Sequence, residues 1–269
     1  VVWRGGEMME TPNKEALVEL LLQLADDDFL YSYRGSEWLG LAPHIEEDVA
    51  SSSIAQDSMG HAAMYYQLLE ELGLGSADML AHTRLAHERK NTVLVERVNG
   101  PGYYMETPEY DWAYAVARNY CYTLAKKIRI DALKTSSHAP LASAAVKINM
   151  ELYYHLMHWQ TWFTQLYSSS ETARGKMDAA LALVMADFGD VFSYGKNGAA
   201  IEEARLIEGE NILLDRWYAA ITPVLVGLGV TLPEIGYERN GRDGEHTPDL
   251  NDALATLGEV YLLDTMAVW

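Results

Sequence analysis

Two acid–histidine pairs are the residues most able to do chemistry. Asp57 and His61 lie in "AQDSMGHAAMYY", and Glu151 and His155 lie in "NMELYYHLMHWQTW". In each pair the acid precedes the histidine by four residues, so both side chains share one face of a helix. Carboxylates and imidazoles projecting inward from facing helices are the raw material of a di-iron site. The usual carboxylate-bridged version takes one Glu from each of two helices and a Glu-x-x-His from each of two others.

The sequence departs from that template. The position three before His61 is Ser58, and the position three before His155 is Leu152. A first helix offers Asp26, Asp27 or Asp28 at about the right height. The third helix offers nothing, because no Asp or Glu occurs from Trp112 through Ile130. Its polar residues include Arg118, Asn119, Lys126, Lys127 and Arg129. The adopted reading is that Asp57–His61 and Glu151–His155 are inert hydrogen-bonded pairs inside a bundle. A buried Lys or Arg beside Asp57 or Glu151 would then neutralise the acids. Substitution of Lys126 or Lys127 by Met should leave stability unchanged if neither is buried. The alternatives are a single-metal site, or a working di-iron oxygenase with Asp28, Asp57, His61, Glu151 and His155 as ligands. A ferroxidase cage ranks last, since Glu208 and Glu210 fall outside the main helices. His158, Trp159 and Trp162 read as core or interface packing.

The elements that must position these groups are helical throughout. Thr11 and Pro12 open a first helix with an apolar stripe of Leu17, Leu20, Leu21, Leu24, Phe29 and Leu30, stopped at Gly40. A second runs over about 45–72 and stops at Gly73. A long connection over 74–106 carries a short helix near 77–88. Thr107 and Pro108 are expected to open the third helix, and Pro140 stands near the start of the fourth. A fifth covers "SETARGKMDAALALVMADFGDVFSY" (170–194), a sixth begins at "GENILLD", and Thr247 with Pro248 opens the seventh. "GRDGEHT" (241–247) reads as the turn that positions this last helix, with a partner contact as the alternative. Two helix pairs joined by one long crossover form a ferritin-like all-α bundle. A single domain over 11–269 is expected, after a flexible tail over 1–10.

The 269 residues suffice for such a core, and a formal charge of −19 argues against nucleic acid or anionic membranes as partners. The longest apolar stretch, 218–232, is too short to span a bilayer and contains Pro223. The N-terminal "VVWRGGEMME" has no signal-peptide core. Cys121, the single cysteine, reads as a core residue and fits a reducing cytoplasm. The phosphate-loop, Gly-x-Ser-x-Gly and zinc spacings are missing.

The segment "GSEWLGLAPHIEEDVASSSIAQDSMGHA" (35–62) resembles a Glu-Trp-x-Gly-x-Ala-Pro…Glu-x-Asp…Asp-x-x-Gly signature. It belongs to the C subunits of bacterial ring-1,2-phenylacetyl-CoA epoxidases, in the phenylacetic acid catabolic protein family. The likeness continues through "NTVLVERVNG", "AVARNY", "ELYYHLMHW", "GRDGEHTPDL" and the terminal Trp269, and covers about 15–269. The resemblance implies a ferritin-like bundle without a di-iron centre. It implies a structural subunit that pairs with a homologous, iron-bearing catalytic partner, beside further small and reductase subunits. It implies epoxidation of phenylacetyl-CoA by the complex, using oxygen and NADPH. The family commonly has Gln where His61 stands, so this histidine is more like the catalytic paralogue. No cofactor is expected in this chain, and a homodimer is expected to be possible in isolation.

Overall fold

A computed structural model describes residues 11–267. The tail expected over 1–10 and the terminal Trp269 lie outside the described residues.

Every regular element among the described residues is helical. Helices α1 (Thr11–Ser36) and α2 (Ile45–Glu71) form one antiparallel pair, and α5 (Trp112–Leu133) and α6 (Ala139–Ser169) form the other. The long crossover between them carries α3 (Ala77–His82) and α4 (Val93–Glu96). Helix α2 meets α6, while α1 and α5 are joined by buried polar contacts, so the four close into a ferritin-like bundle. Helices α7 (Glu171–Ala186) and α9 (Glu210–Leu228) pack on the outer side of α5. Helix α8 (Gly198–Glu203) and α10 (Pro248–Gly258) rest against α1.

That packing explains why α5 is so poor in acid. All residues from Ala113 through Lys126 are buried, so this stretch has no solvated face to carry charge; the acid of the helix, Asp131, comes in its exposed last turn. The polar residues of the buried stretch must find partners.

Several expected boundaries move. Helix α5 starts at Trp112, not after Thr107–Pro108. Asp111 caps it, accepting from the Ala113 and Tyr114 amides at 2.8 and 3.3 Å. Residues 99–111 instead fold back on themselves, with Glu109 N donating to Pro101 O and Asp111 N to Asn99 O, both at 2.9 Å. This return needs glycine: Gly102 has φ +84°, and a Cβ there would lie 2.1 Å from Thr107 O. Helix α1 ends at Ser36, and the chain turns before Gly40. The fifth segment stops being helical at Ala186. Gly73, Pro140 and Pro248 act as expected at their helix ends. No helix among the described residues is long and apolar enough to cross a membrane.

Candidate functional site

Three consecutive aspartates on α1 organise the interior. Asp26, Asp27 and Asp28 are all buried. Successive residues of a helix point about 100° apart, so each acid faces a different wall and requires its own cation.

Asp26 faces the crossover. Arg84 and Arg89 pair with it, Tyr66 donates to it at 2.6 Å, and the Lys90 amide donates at 2.8 Å. Burial alone would raise its pKa, but the two guanidiniums overcome burial and hold it down at about 2. A carboxyl depressed from an ordinary value of 3.8 stabilises the fold above that value and loses the contribution as pH falls towards 2. The contribution is about 2 kcal/mol. In acid titrations followed by circular dichroism, the stability difference between wild type and Asp26→Asn should therefore collapse between about pH 4 and pH 2.

Asp27 faces α5 and the C-terminal segment. Arg242 binds it with both arms, Nη1 to Oδ1 at 2.7 Å and Nη2 to Oδ2 at 2.8 Å. Arg129 Nη1 adds a bond at 2.7 Å and the Thr92 amide one at 2.8 Å. "GRDGEHT" is thus more than a turn. Its Gly241 amide donates to buried Asp190 at 2.9 Å, and its Arg242 enters the core. His246 lies between the Glu96 carboxylate at 2.7 Å and the Arg89 carbonyl at 3.1 Å. Both neighbours accept, so both ring nitrogens carry protons. Although burial opposes it, the Glu96 bond raises the His246 pKa. Thr247 precedes α10 without capping it through its side chain; its hydroxyl and amide instead donate to Glu96, at 2.9 and 2.6 Å.

Asp28 faces the centre of the bundle, where all five candidate residues gather. The Lys126 ammonium donates to Asp28 Oδ1 and to His61 Nδ1, the latter at 2.9 Å. That bond fixes the His61 tautomer, and Nε2–H donates to Glu151 Oε2 at 2.6 Å. His155 Nε2 bonds Asp57 Oδ2 at 2.9 Å. The acid–histidine pairs are therefore crossed: each histidine bonds the acid of the opposite helix, not its own. The i,i+4 spacing places acid and histidine on one face of each helix, and antiparallel packing of α2 on α6 brings the two faces together.

Electrostatics follow burial. Desolvation pushes Asp28 up to about 6, although Lys126 pulls it down. Burial, then the Lys126 cation, depresses His61, and burial depresses His155. Both imidazoles are neutral at pH 7. Burial and the nearby Asp57 raise Glu151. Asp57 and Glu151 are 38% and 49% exposed, so the cluster opens to the surface there.

Lys126 is the expected neutralising cation, with a correction. It is buried and bonds Asp28 and His61, not Asp57 or Glu151. Lys127 points away to Asp131 and Asn149. These residues do not fit a di-iron centre. An ammonium occupies the space between Asp28 and His61, the His61 Nδ1 lone pair is taken, and the acid of α5, Asp131, pairs with Lys127 and Lys134 away from the centre. Among the described residues, no group of three or more His, Cys, Asp or Glu side chains is arranged to hold a metal ion.

Fold and site together define a ferritin-like helical protein with an ion-paired centre. A family model described as "Phenylacetic acid catabolic protein" matches residues 4–269, and the chain belongs to that family. It is 28% identical over 243 residues to the C subunit of the 1,2-phenylacetyl-CoA epoxidase of Escherichia coli (strain K12), covering 90% of this chain and 94% of that protein. These matches associate the chain with phenylacetate catabolism.

Proposed function

We propose that this chain is a structural, non-catalytic subunit of a multicomponent phenylacetyl-CoA epoxidase. It pairs with and stabilises a homologous di-iron catalytic subunit, alongside the other subunits of an oxygen- and NADPH-dependent complex in the cytoplasm. The observation that carries this reading is Lys126, whose ammonium sits between Asp28 and His61 and bonds both. A bundle centre held by its own ion pair supports a rigid scaffold and needs no cofactor to fold.

The surface over that centre supports pairing. From Ile148 through Ser170, Glu151 is the sole Asp, Glu, Lys or Arg, in a chain where 22% of residues are charged. Met150 and Tyr154 of α6 are 70% and 65% exposed, and Val49 of α2 is 65% exposed. Next to His61 on α2, Gly60 is exposed and presents bare backbone with open space around it. Depletion of charge with Met and Tyr enrichment is the composition of an interface core. A groove of about 550 Å³ lined by Tyr153, Leu156, Met157 and Gln160, with Lys127 of α5 as its charged member, adjoins this helix. In the absence of the catalytic subunit, a second copy of this chain can take its place.

Co-expression with the catalytic subunit tests this. Met150→Asp with Tyr154→Asp should abolish co-purification while leaving the circular dichroism and melting temperature of the isolated chain unchanged, because both side chains are already in water. Retained co-purification would place the interface elsewhere.

A further inference from the structure

Between α1, α2 and α5 lies a cavity of about 10 Å³, bounded by Asp27, Asp28, Tyr65, Tyr122, Lys126 and Arg129 among others. All of these side chains are buried. Arg129 uses Nη1 on Asp27, but its Nε and Nη2 are buried without a partner. The Tyr65 hydroxyl is buried and unpartnered too. Buried polar groups of folded proteins are almost always satisfied, by protein or by ordered water. In arginine, Nε–H and one Nη–H form a two-pronged donor edge, and here that edge lies free in the core beside a polar cavity.

We propose that one water molecule is a fixed part of this core, accepting from the Nε–Nη2 edge of Arg129 and hydrogen-bonded to the Tyr65 hydroxyl. The volume admits the centre of a single water. Charge favours a neutral occupant. The cations Arg129, Lys126 and Arg242 face the carboxylates Asp27, Asp28 and Asp190, leaving no surplus for an ion. A metal cation would meet the donor edge of Arg129 and the Lys126 ammonium, both repulsive. The water joins the otherwise unpartnered Tyr65 hydroxyl of α2 to the Asp27 set of α1 and α5. This holds whether or not the chain pairs with a catalytic subunit.

The test is a crystal structure of the full chain, grown with sodium bromide and refined at a resolution that shows ordered water. The expected result is one spherical peak within hydrogen-bond distance of Arg129 Nε or Nη2 and of Tyr65 Oη, with no anomalous signal at the bromine edge. An anomalous peak there would mean an anion and overturn the assignment. An empty cavity, or an Arg129 edge turned onto Asp28 so that the cavity closes, would overturn it equally. No substitution is involved, so a failure of a variant to fold cannot confuse the outcome.

Discussion

Lys126→Met should destabilise the isolated chain by about 3 kcal/mol at pH 7, measured by urea unfolding. The substitution keeps the aliphatic bulk and removes the ammonium. Asp28 is then left buried with no cation of its own, and His61 Nδ1 loses its donor. The deficit should depend on pH in a defined direction. Asp28 already titrates at about 6 with Lys126 present, because burial outweighs the ion pair. Without Lys126 its pKa rises further. A group with a raised folded pKa favours the fold below its unfolded pKa and loses that support as pH rises through the folded value. Acidification from pH 7 towards pH 5 should therefore narrow the gap between variant and wild type. Asp28→Asn combined with Lys126→Met should lose much less than the sum of the single losses, since the two residues form one unit. Equal stability of Lys126→Met and wild type across this range would show that the ion pair contributes nothing.

Arg242→Ala should be more damaging, because two structural links fail together. The guanidinium is fully buried, grips Asp27 through both arms, and donates to the backbone carbonyls of Lys90, Val191 and Ser193. Removing one partner of a buried pair costs about 3–5 kcal/mol. For a chain of this size that lowers the melting temperature by about 10 °C. The C-terminal segment after α9 should also become sensitive to limited proteolysis, since Arg242 ties it to α1. Arg242→Lys should recover little, as an ammonium cannot match both carboxylate oxygens in the plane of the guanidinium fork. Unchanged melting of Arg242→Ala would mean that Arg129 alone satisfies Asp27.

The bundle was legible in the sequence because its signals are local. Apolar periodicity, Gly73, Pro140 and Pro248 mark helices and their ends without reference to tertiary structure. The acid-free stretch of α5 and the candidacy of Lys126 were legible for a similar reason, since the lack of Asp and Glu from Trp112 through Ile130 is a property of the chain. Partner identities were not. The crossing of His61 to Glu151 and of His155 to Asp57 depends on how α2 and α6 face one another, and i,i+4 spacing is equally compatible with bonds inside each helix. Arg242 was missed because it lies 215 residues from Asp27 in a segment with strong turn signals. One clue was present. Three consecutive aspartates inside an apolar helix cannot all reach water, so three separate sources of positive charge had to converge on α1. The start of α5 was misplaced because Thr107–Pro108 has the local form of a helix opening, while the bonds that keep 99–111 non-helical include Asp111 to Asn99, a contact across the loop.

The proposed function rests on a bundle centre held by Lys126 and its partners. Metal content of the chain, expressed alone in iron-replete medium and measured by plasma emission spectroscopy, tests it most directly. The account predicts less than about a tenth of an iron per chain, unchanged when His61 and His155 are replaced; about two irons per chain, lost with those replacements, would contradict it and make this chain an oxygenase in its own right.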